Sequence, residues 1–378
     1  MLKPATAVQN TEPRTGRNYH LDAIRGVAAL VVVLDHLHQG YFVPYRNAAP
    51  GPLRLLYLEH YFAGSAVMIF FALSGYLVGG SALRSITKDR WSWGNYLLNR
   101  ATRLYVALIP ALILTAVLDH LARTHGGLNL GYGPQSMKDF WGSLFFLQNI
   151  YTKPYGSDGP LWSLSYEFWF YLLFPLIALL VRRHSRLPLL DLAVLVAMAF
   201  FVHGSILLLF PCWLLGVGAF LLADRYPHPP RGLRTAAVLA SIVLIPVSLF
   251  LEGSHGVTVI RNQFYLDSIS TIPLLWAAIT SPPPGSRIYR SLAIFFSEIS
   301  FTLYLSHAPF LSLLNLFWLR GRRWPNDVSH LLLALIPFAL AVFFGYAMYW
   351  LFESRTETIR DFIKNRINRT KVQSAAAV

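Results

Sequence analysis

Arg25 and His36 stand eleven residues apart on one apolar segment, Leu21 to Val43. Eleven residues at 100° each complete about three turns, so both side chains lie on one helix face, roughly 16 Å apart along the axis. Ionisable groups at membrane depth are costly and normally turn toward protein or an aqueous cavity. A cation near one end of a spanning helix and a proton-transfer residue deeper on the same stripe suit a charged ligand. Its head would rest near the membrane surface and its reactive end near the midplane. Singly, the arginine is explained by snorkelling to a headgroup and the histidine by a buried hydrogen bond. Paired on one stripe, they point to chemistry. Glu167, His307, Arg100, Arg103 and Ser74-Gly75 are the other residues of suitable type on apolar segments.

The elements that must position them are membrane helices. Hydrophobic residues make up 55% of the 378 and charged residues only 13%, with mean hydropathy +0.46, well above a soluble domain. Apolar stretches of bilayer-spanning length recur from Leu21 to Trp350, too many for a signal peptide or a single anchor. The chain divides into a polar tail at 1–20, a membrane domain at 21–353 and a basic tail at 354–378. The expected fold is all-α, a polytopic bundle of ten spans at about 21–43, 61–80, 101–121, 161–181, 188–203, 206–223, 235–252, 264–280, 292–317 and 329–352. The fifth and sixth are short and joined tightly at His203-Gly204-Ser205. Between 122 and 160, SMKDFWGSLFFLQNI predicts a short interfacial helix among glycine-rich turns.

The formal charge of +14 is distributed by topology. With the N-terminus placed in the cytoplasm, most of the 32 Lys and Arg fall on that side, which places both termini inside. Arg320, Arg322 and Arg323 run against the trend. A basic inner face fits a lipid bilayer and needs no nucleic acid. The one cysteine, Cys212, excludes an internal disulfide and a multi-cysteine metal site; it reads as packed or lipid-facing, and no metal is expected.

Depth follows from the spans. His36 lies about seven residues below the outer end of its helix, Glu167 about six and His307 about ten. That predicts one outer-middle layer, within roughly 6 Å of depth. A carboxylate beside a histidine raises its basicity and fixes its tautomer, as a general base requires; a buried network locking helices together is the bland alternative. Near the cytoplasmic ends, Arg25, Arg84, Arg100 and Arg103, with Lys88, form a cationic layer suited to phosphates. Ser74 and Gly75 either serve a ligand there or simply pack helices. Tyr41, Tyr45, Tyr57, Tyr61, Trp141, Tyr151, Tyr155 and Trp162 give the outer rim aromatics for sugar stacking or an interfacial belt.

These segments resemble the acyltransferase 3 family. LDAIRGVAALVVVLDH is similar to its Arg-x10-His helix, GSAVMIFFALSGYLVGG to its Phe-Phe-x-x-Ser-Gly segment, and YLLNRATRLYVALIP to its arginine-rich third helix. GPLWSLSYEFWFYLLFPL resembles its Trp-Ser-Leu-x-x-Glu helix, EISFTLYLSHAPF its Ser-x-x-x-Tyr-Leu-x-His helix, and WLFESR its closing Glu. The matches keep the family's order from Leu21 to Glu353. Two positions depart: Tyr105-Val106-Ala107 stands where a proline is usual, and Asp35 precedes the histidine where an apolar residue is commoner. Asp35 either adds a carboxylate to His36 or faces elsewhere, being 100° round the helix.

The resemblance implies a bacterial inner-membrane enzyme, without a fused soluble domain, that moves an acetyl or other short acyl group from cytoplasmic acyl-CoA to a hydroxyl. The implied acceptor is a cell-surface or membrane-linked saccharide; the family's other acceptors include small lipophilic molecules such as macrolides. By the same resemblance Arg25, Arg100 and Arg103, with Ser74 and Gly75, would hold acetyl-CoA. His36 would be the general base, Glu167 would orient it, and His307 would bind acceptor or aid proton transfer. A transporter or flippase is the rival class; such folds often show paired inverted repeats with broken helices, and none is visible.

Overall fold

The computed structural model describes residues 16–48, 51, 53, 59–124, 136–255 and 260–376. The polar tail as far as residue 15, the glycine turns at 126–134 and Tyr57 lie outside them. The described residues are helical, with no strand beyond isolated bridges. In order they are α1 (Tyr19–Tyr41), α2 (Glu59–Ser74) continued by a π-turn (Gly75–Gly79) into α3 (Gly80–Thr87), α4 (Trp93–Thr124), α5 (Met137–Leu144), α6 (Leu161–Val181), α7 (Pro188–Arg225), α8 (Arg231–His255), α9 (Ile260–Thr280), α10 (Arg287–Leu319), α11 (Val328–Leu351) and α12 (Thr356–Ala376).

Seven helical stretches among the described residues are long and apolar enough to cross a membrane, and 188–202 and 264–280 are shorter apolar helices. With α1 these occupy all ten expected positions. Helix α1 is less apolar because Arg25, Asp35, His36 and His38 interrupt it. The fifth and sixth expected spans are one helix, α7, broken at Gly204, whose φ of +49° suits glycine. The interfacial helix is α5, capped by Ser136, whose side chain accepts from the Asp139 N–H. Helix α12 forms from the expected basic tail; its mean composition is polar, so no spanning signal marks it.

Close approach of backbones sets the arrangement. A Cβ on Gly26 would lie 2.6 Å from Phe296 Cβ, so glycine lets α1 run tightly along α10. A Cβ on Gly75 would lie 2.0 Å from the Trp213 carbonyl oxygen, and one on Gly216 would lie 1.9 Å from that of Ala72. Backbone meets backbone there, where the π-turn crosses α7. One end of the bundle gathers Arg17, Arg25, Arg100, Arg103 and Arg360; we call it the basic end.

At the opposite end the chain between α5 and α6 folds inward. Gln148 and Asp158 are fully buried. Gln148 Nε2 donates to the Leu161 carbonyl at 2.9 Å, Asn149 Nδ2 to that of Trp162 at 2.9 Å, and Trp169 Nε1 to that of Phe146 at 2.9 Å. Irregular backbone at depth is tolerated because protein groups satisfy it. Burial pushes the Asp158 carboxyl well above the usual carboxylate range, and the nearby Asp119 charge pushes the same way. Of the expected aromatic rim, Tyr45, Trp141 and Tyr151 are exposed, whereas Tyr41 and Tyr155 are buried. Tyr41 is drawn in because its hydroxyl donates to the Leu311 carbonyl.

Candidate active site

A cavity of about 750 Å³ opens among α1, α2, α4, α6, α10 and α12, lined by Arg25, Ser74, Arg100, Arg103, Glu167 and Tyr171 among others. Most of its charges are already matched. Arg17 holds Asp22 at 2.5 Å and Glu298 at 2.9 Å. Arg103 pairs with Glu353, the closing Glu of the sequence pattern, which also accepts from the Thr302 N–H and hydroxyl. Arg25 and Arg100 make no hydrogen bond or ion pair among the described residues. Arg100 lies 5.8 Å from the centre of the Tyr171 ring and 6.0 Å from that of Tyr96, with its Nε buried and unsatisfied. Neither guanidinium is bound directly by a carboxylate, although the Asp22 and Glu167 charges act on Arg25 from a distance, so both have donors left for an anion in the cavity. Arg103, expected beside them, already has Glu353, and Arg84 lies over the Phe220 ring instead of lining the wall.

Gly75 departs from its expected ligand role. It does not line the cavity, and the α7 backbone against it explains its lack of a side chain. Ser74 does line it, one residue away, because the π-turn starts at the next residue; such turns are frequent at functional sites. Trp213 Nε1 donates to Ser74 Oγ at 3.1 Å, Ser74 Oγ to the Tyr171 hydroxyl at 3.2 Å, and Tyr171 to Glu167 Oε1. Each donor is spent on the next, and the line ends on a carboxylate. Tyr171 was not singled out from the sequence, although its i+4 spacing from Glu167 was available. Nothing in the sequence marks Trp213.

The two histidines form a second layer. His36 Nδ1 lies 2.9 Å from the Val32 carbonyl oxygen and His307 Nδ1 3.0 Å from that of Leu303. A carbonyl only accepts, so both Nδ1 atoms carry hydrogen, and in the neutral rings both Nε2 atoms keep a lone pair. The rings meet edge to face with centroids 5.0 Å apart. His307 is fully buried and its Nε2 has no partner, while the His36 side chain is 22% exposed. Asp35 sits beside them, 4.0 Å from His36 Nδ1, and accepts from Gln39 at 2.7 Å. It is a neighbouring charge but not a hydrogen-bond partner of His36.

Glu167 does not join that layer, contrary to the depth count. Helix α6 starts well short of the outer end of α10, because the infolded chain before it takes up the outer turns. The Tyr304 hydroxyl donates to the Pro160 carbonyl at 3.2 Å and lies 2.7 Å from Ser163 Oγ, so the start of α6 is level with Tyr304. His307 is three residues further out on α10, and Glu167 is six residues further in on α6. That separates them by on the order of 13 Å along the axis. Tyr304 joins the two layers: it lines the cavity, and its ring lies 6.0 Å from that of His307.

The acyltransferase 3 model, described as an acyltransferase domain, matches residues 18–369. The chain is 27% identical over 330 residues to "Acyltransferase MdmB" of Streptomyces mycarofaciens, covering 78% of this chain and 79% of that one. It is 24% identical over 275 residues to the "O-acetyl transferase" of Shigella phage Sf6, covering 67% and 75%. It is also 29% identical over 205 residues to "Nodulation protein 10" of Rhizobium leguminosarum bv. viciae, covering 49% and 51%. No solved structure matches. The family match spans every helix that builds the cavity and the histidine pair, and the chain belongs to the acyltransferase 3 family of membrane O-acyltransferases.

Proposed function

We propose that this enzyme transfers an acetyl or other short acyl group from acyl-CoA to a hydroxyl of a cell-surface or membrane-linked saccharide, in a bacterial inner membrane with the basic end facing the cytoplasm. What carries the reading is the stacking of two layers. Arg25 and Arg100 offer guanidinium donors not bound by a carboxylate at the basic end, and two histidines with free Nε2 atoms stand further out, His36 eleven residues beyond Arg25 on α1 and His307 beside it on α10.

Arg25 and Arg100 bind the donor's phosphates, as guanidinium forks do. His36, the less buried of the pair, takes the acceptor's proton on Nε2 as its oxygen attacks the thioester carbon. The carbon–sulfur bond then breaks, and the His36 imidazolium returns that proton to the departing thiolate. His307 is fully buried and meets His36 edge to face, which suits contact with the acceptor or support of the proton transfer. Glu167, held by Tyr171 on the cavity wall, acts on the donor side and not through His36.

Purified protein in vesicles, given radiolabelled acetyl-CoA and surface glycans from a deletion strain, tests this. Label on a glycan hydroxyl that requires His36 supports the reading. Failure to bind acetyl-CoA would refute the donor. A product found on a small lipophilic molecule and not on glycan would refute the acceptor.

A further inference from the structure

Helix α12 follows the spanning helix α11 after one turn, Glu353–Arg355, and packs on α4. Its first turns place Thr356, Glu357 and Arg360 on the wall of the arginine cavity. Further along, Ile359, Phe362 and Ile367 are 37%, 61% and 45% exposed. At 100° per residue, Ile359, Phe362, Ile363 and Ile367 occupy an arc of about 140°. Lys364 and Arg369 flank that arc, and Arg366 stands within it, its guanidinium over the Phe362 ring at 5.3 Å. From Thr356 to Arg369 the helix has four Lys and Arg against Glu357 and Asp361.

Four apolar side chains with cations beside and among them, attached to the end of a membrane span, match a helix lying on an anionic leaflet, where a long arginine reaches the headgroups. A protein partner would need complementary acidic and apolar groups at this one depth, whereas the bilayer supplies both beside α11. The short link to α11 also keeps the helix within reach of headgroups.

We propose that α12 docks on an anionic lipid surface and thereby holds Arg360 and Glu357 at the cavity wall, so that donor affinity depends on membrane charge. The second half rests on the donor reading above; the first does not. Ile367→Cys carries a bimane label, since the native Cys212 is buried. The full-length protein is placed in vesicles of phosphatidylcholine alone or mixed with phosphatidylglycerol, with spin-labelled lipid as quencher. Quenching should be strong with phosphatidylglycerol, weaken at high salt, and fall in the triple variant Lys364→Glu, Arg366→Glu, Arg369→Glu. Equal, weak quenching in both lipids would overturn the docking.

Acetyl-CoA affinity is then measured in the same vesicles. Anionic lipid repels the donor from wild type and triple variant alike, so the difference between them isolates the helix. Wild type should bind about fivefold tighter than the triple variant in the anionic vesicles, a modest coupling, and equally in phosphatidylcholine. Equal affinities in both lipids, with quenching intact, would overturn the coupling. Absence of acetyl-CoA binding in every sample would instead remove the donor reading and leave the docking standing on the fluorescence.

Discussion

His36 and His307 meet edge to face, 5.0 Å between ring centroids, each with Nδ1 committed to the carbonyl four residues earlier on its own helix. Parallel helices tightened by Gly26 bring the rings together. Two imidazoles held in the same tautomer, with neither lone pair used by the protein, are set for proton transfer.

Replacing His36 by alanine should lower turnover by about 10²–10⁴-fold, the usual cost of a general base, in protein that still folds and inserts. His307→Ala should also lower turnover, and the double variant should be little worse than His36→Ala, because groups acting as a unit are not additive. Steady-state rates for the three variants, normalised to folded protein, check this. Retention of a tenth of wild-type turnover by His36→Ala would remove it from the chemistry.

Arg25→Ala should weaken acetyl-CoA binding with a smaller effect on the acceptor, and Arg25→Lys should restore only part, since an ammonium lacks the planar fork. Arg100→Ala should behave like Arg25→Ala. Arg103→Ala should instead reduce folded yield, because it leaves Glu353 buried without its cation. Calorimetric titration of acetyl-CoA beside thermal unfolding separates the two outcomes.

Glu167→Gln should raise the donor KM by roughly tenfold, as loss of a charged hydrogen-bond acceptor does, and leave the acidic limb of the pH–rate profile where it is. A carboxylate on the order of 13 Å in depth from the histidines has little hold on their protonation. Combined with His36→Ala, its loss should add. A limb that moves to lower pH would place Glu167 against His36 after all.

Asp158 is a buried carboxyl with both oxygens unpartnered, and burial raises its pKa in the folded protein. A raised folded value favours the fold at low pH, and that contribution is lost as pH rises through it. Wild type should therefore lose thermal stability as pH rises from the ordinary carboxylate range through the raised value. Asp158→Asn should flatten the dependence and be at least as stable as wild type at the high-pH end. Melting temperatures across the pH range decide it; identical slopes would show that Asp158 has found a partner.

Much of the fold was legible because lipid demands long apolar helices, and ten such segments are plain in the sequence. The Arg25–His36 stripe was legible for the same reason: two ionisable residues on one apolar helix face have few places to go. Glu167 was misplaced because depth was counted from the membrane surface, and sequence alone does not show that α6 begins well short of the outer end of α10. Gly75 was ambiguous because a glycine that meets a ligand and one that meets a carbonyl look alike until the carbonyl of Trp213 is located. Trp213 and Tyr171 were missed because an aromatic residue in a membrane helix is unremarkable without its partner. Helix α12 escaped because its apolar residues are too few for hydropathy to register.

The sunken start of α6 makes chain length itself a functional variable. Gln148, Asn149, Ser165 and Trp169 lace the preceding segment to the helix at fixed points. A single residue inserted between Trp162 and Ser163 would advance the rest of the helix about 1.5 Å and turn it about 100° relative to those first points. Glu167 would then swing off the cavity wall, and Ser163 would leave Tyr304. The number of residues from Trp162 to Glu167 therefore fixes which side chains face the cavity, independently of what the surface of the preceding segment is made of.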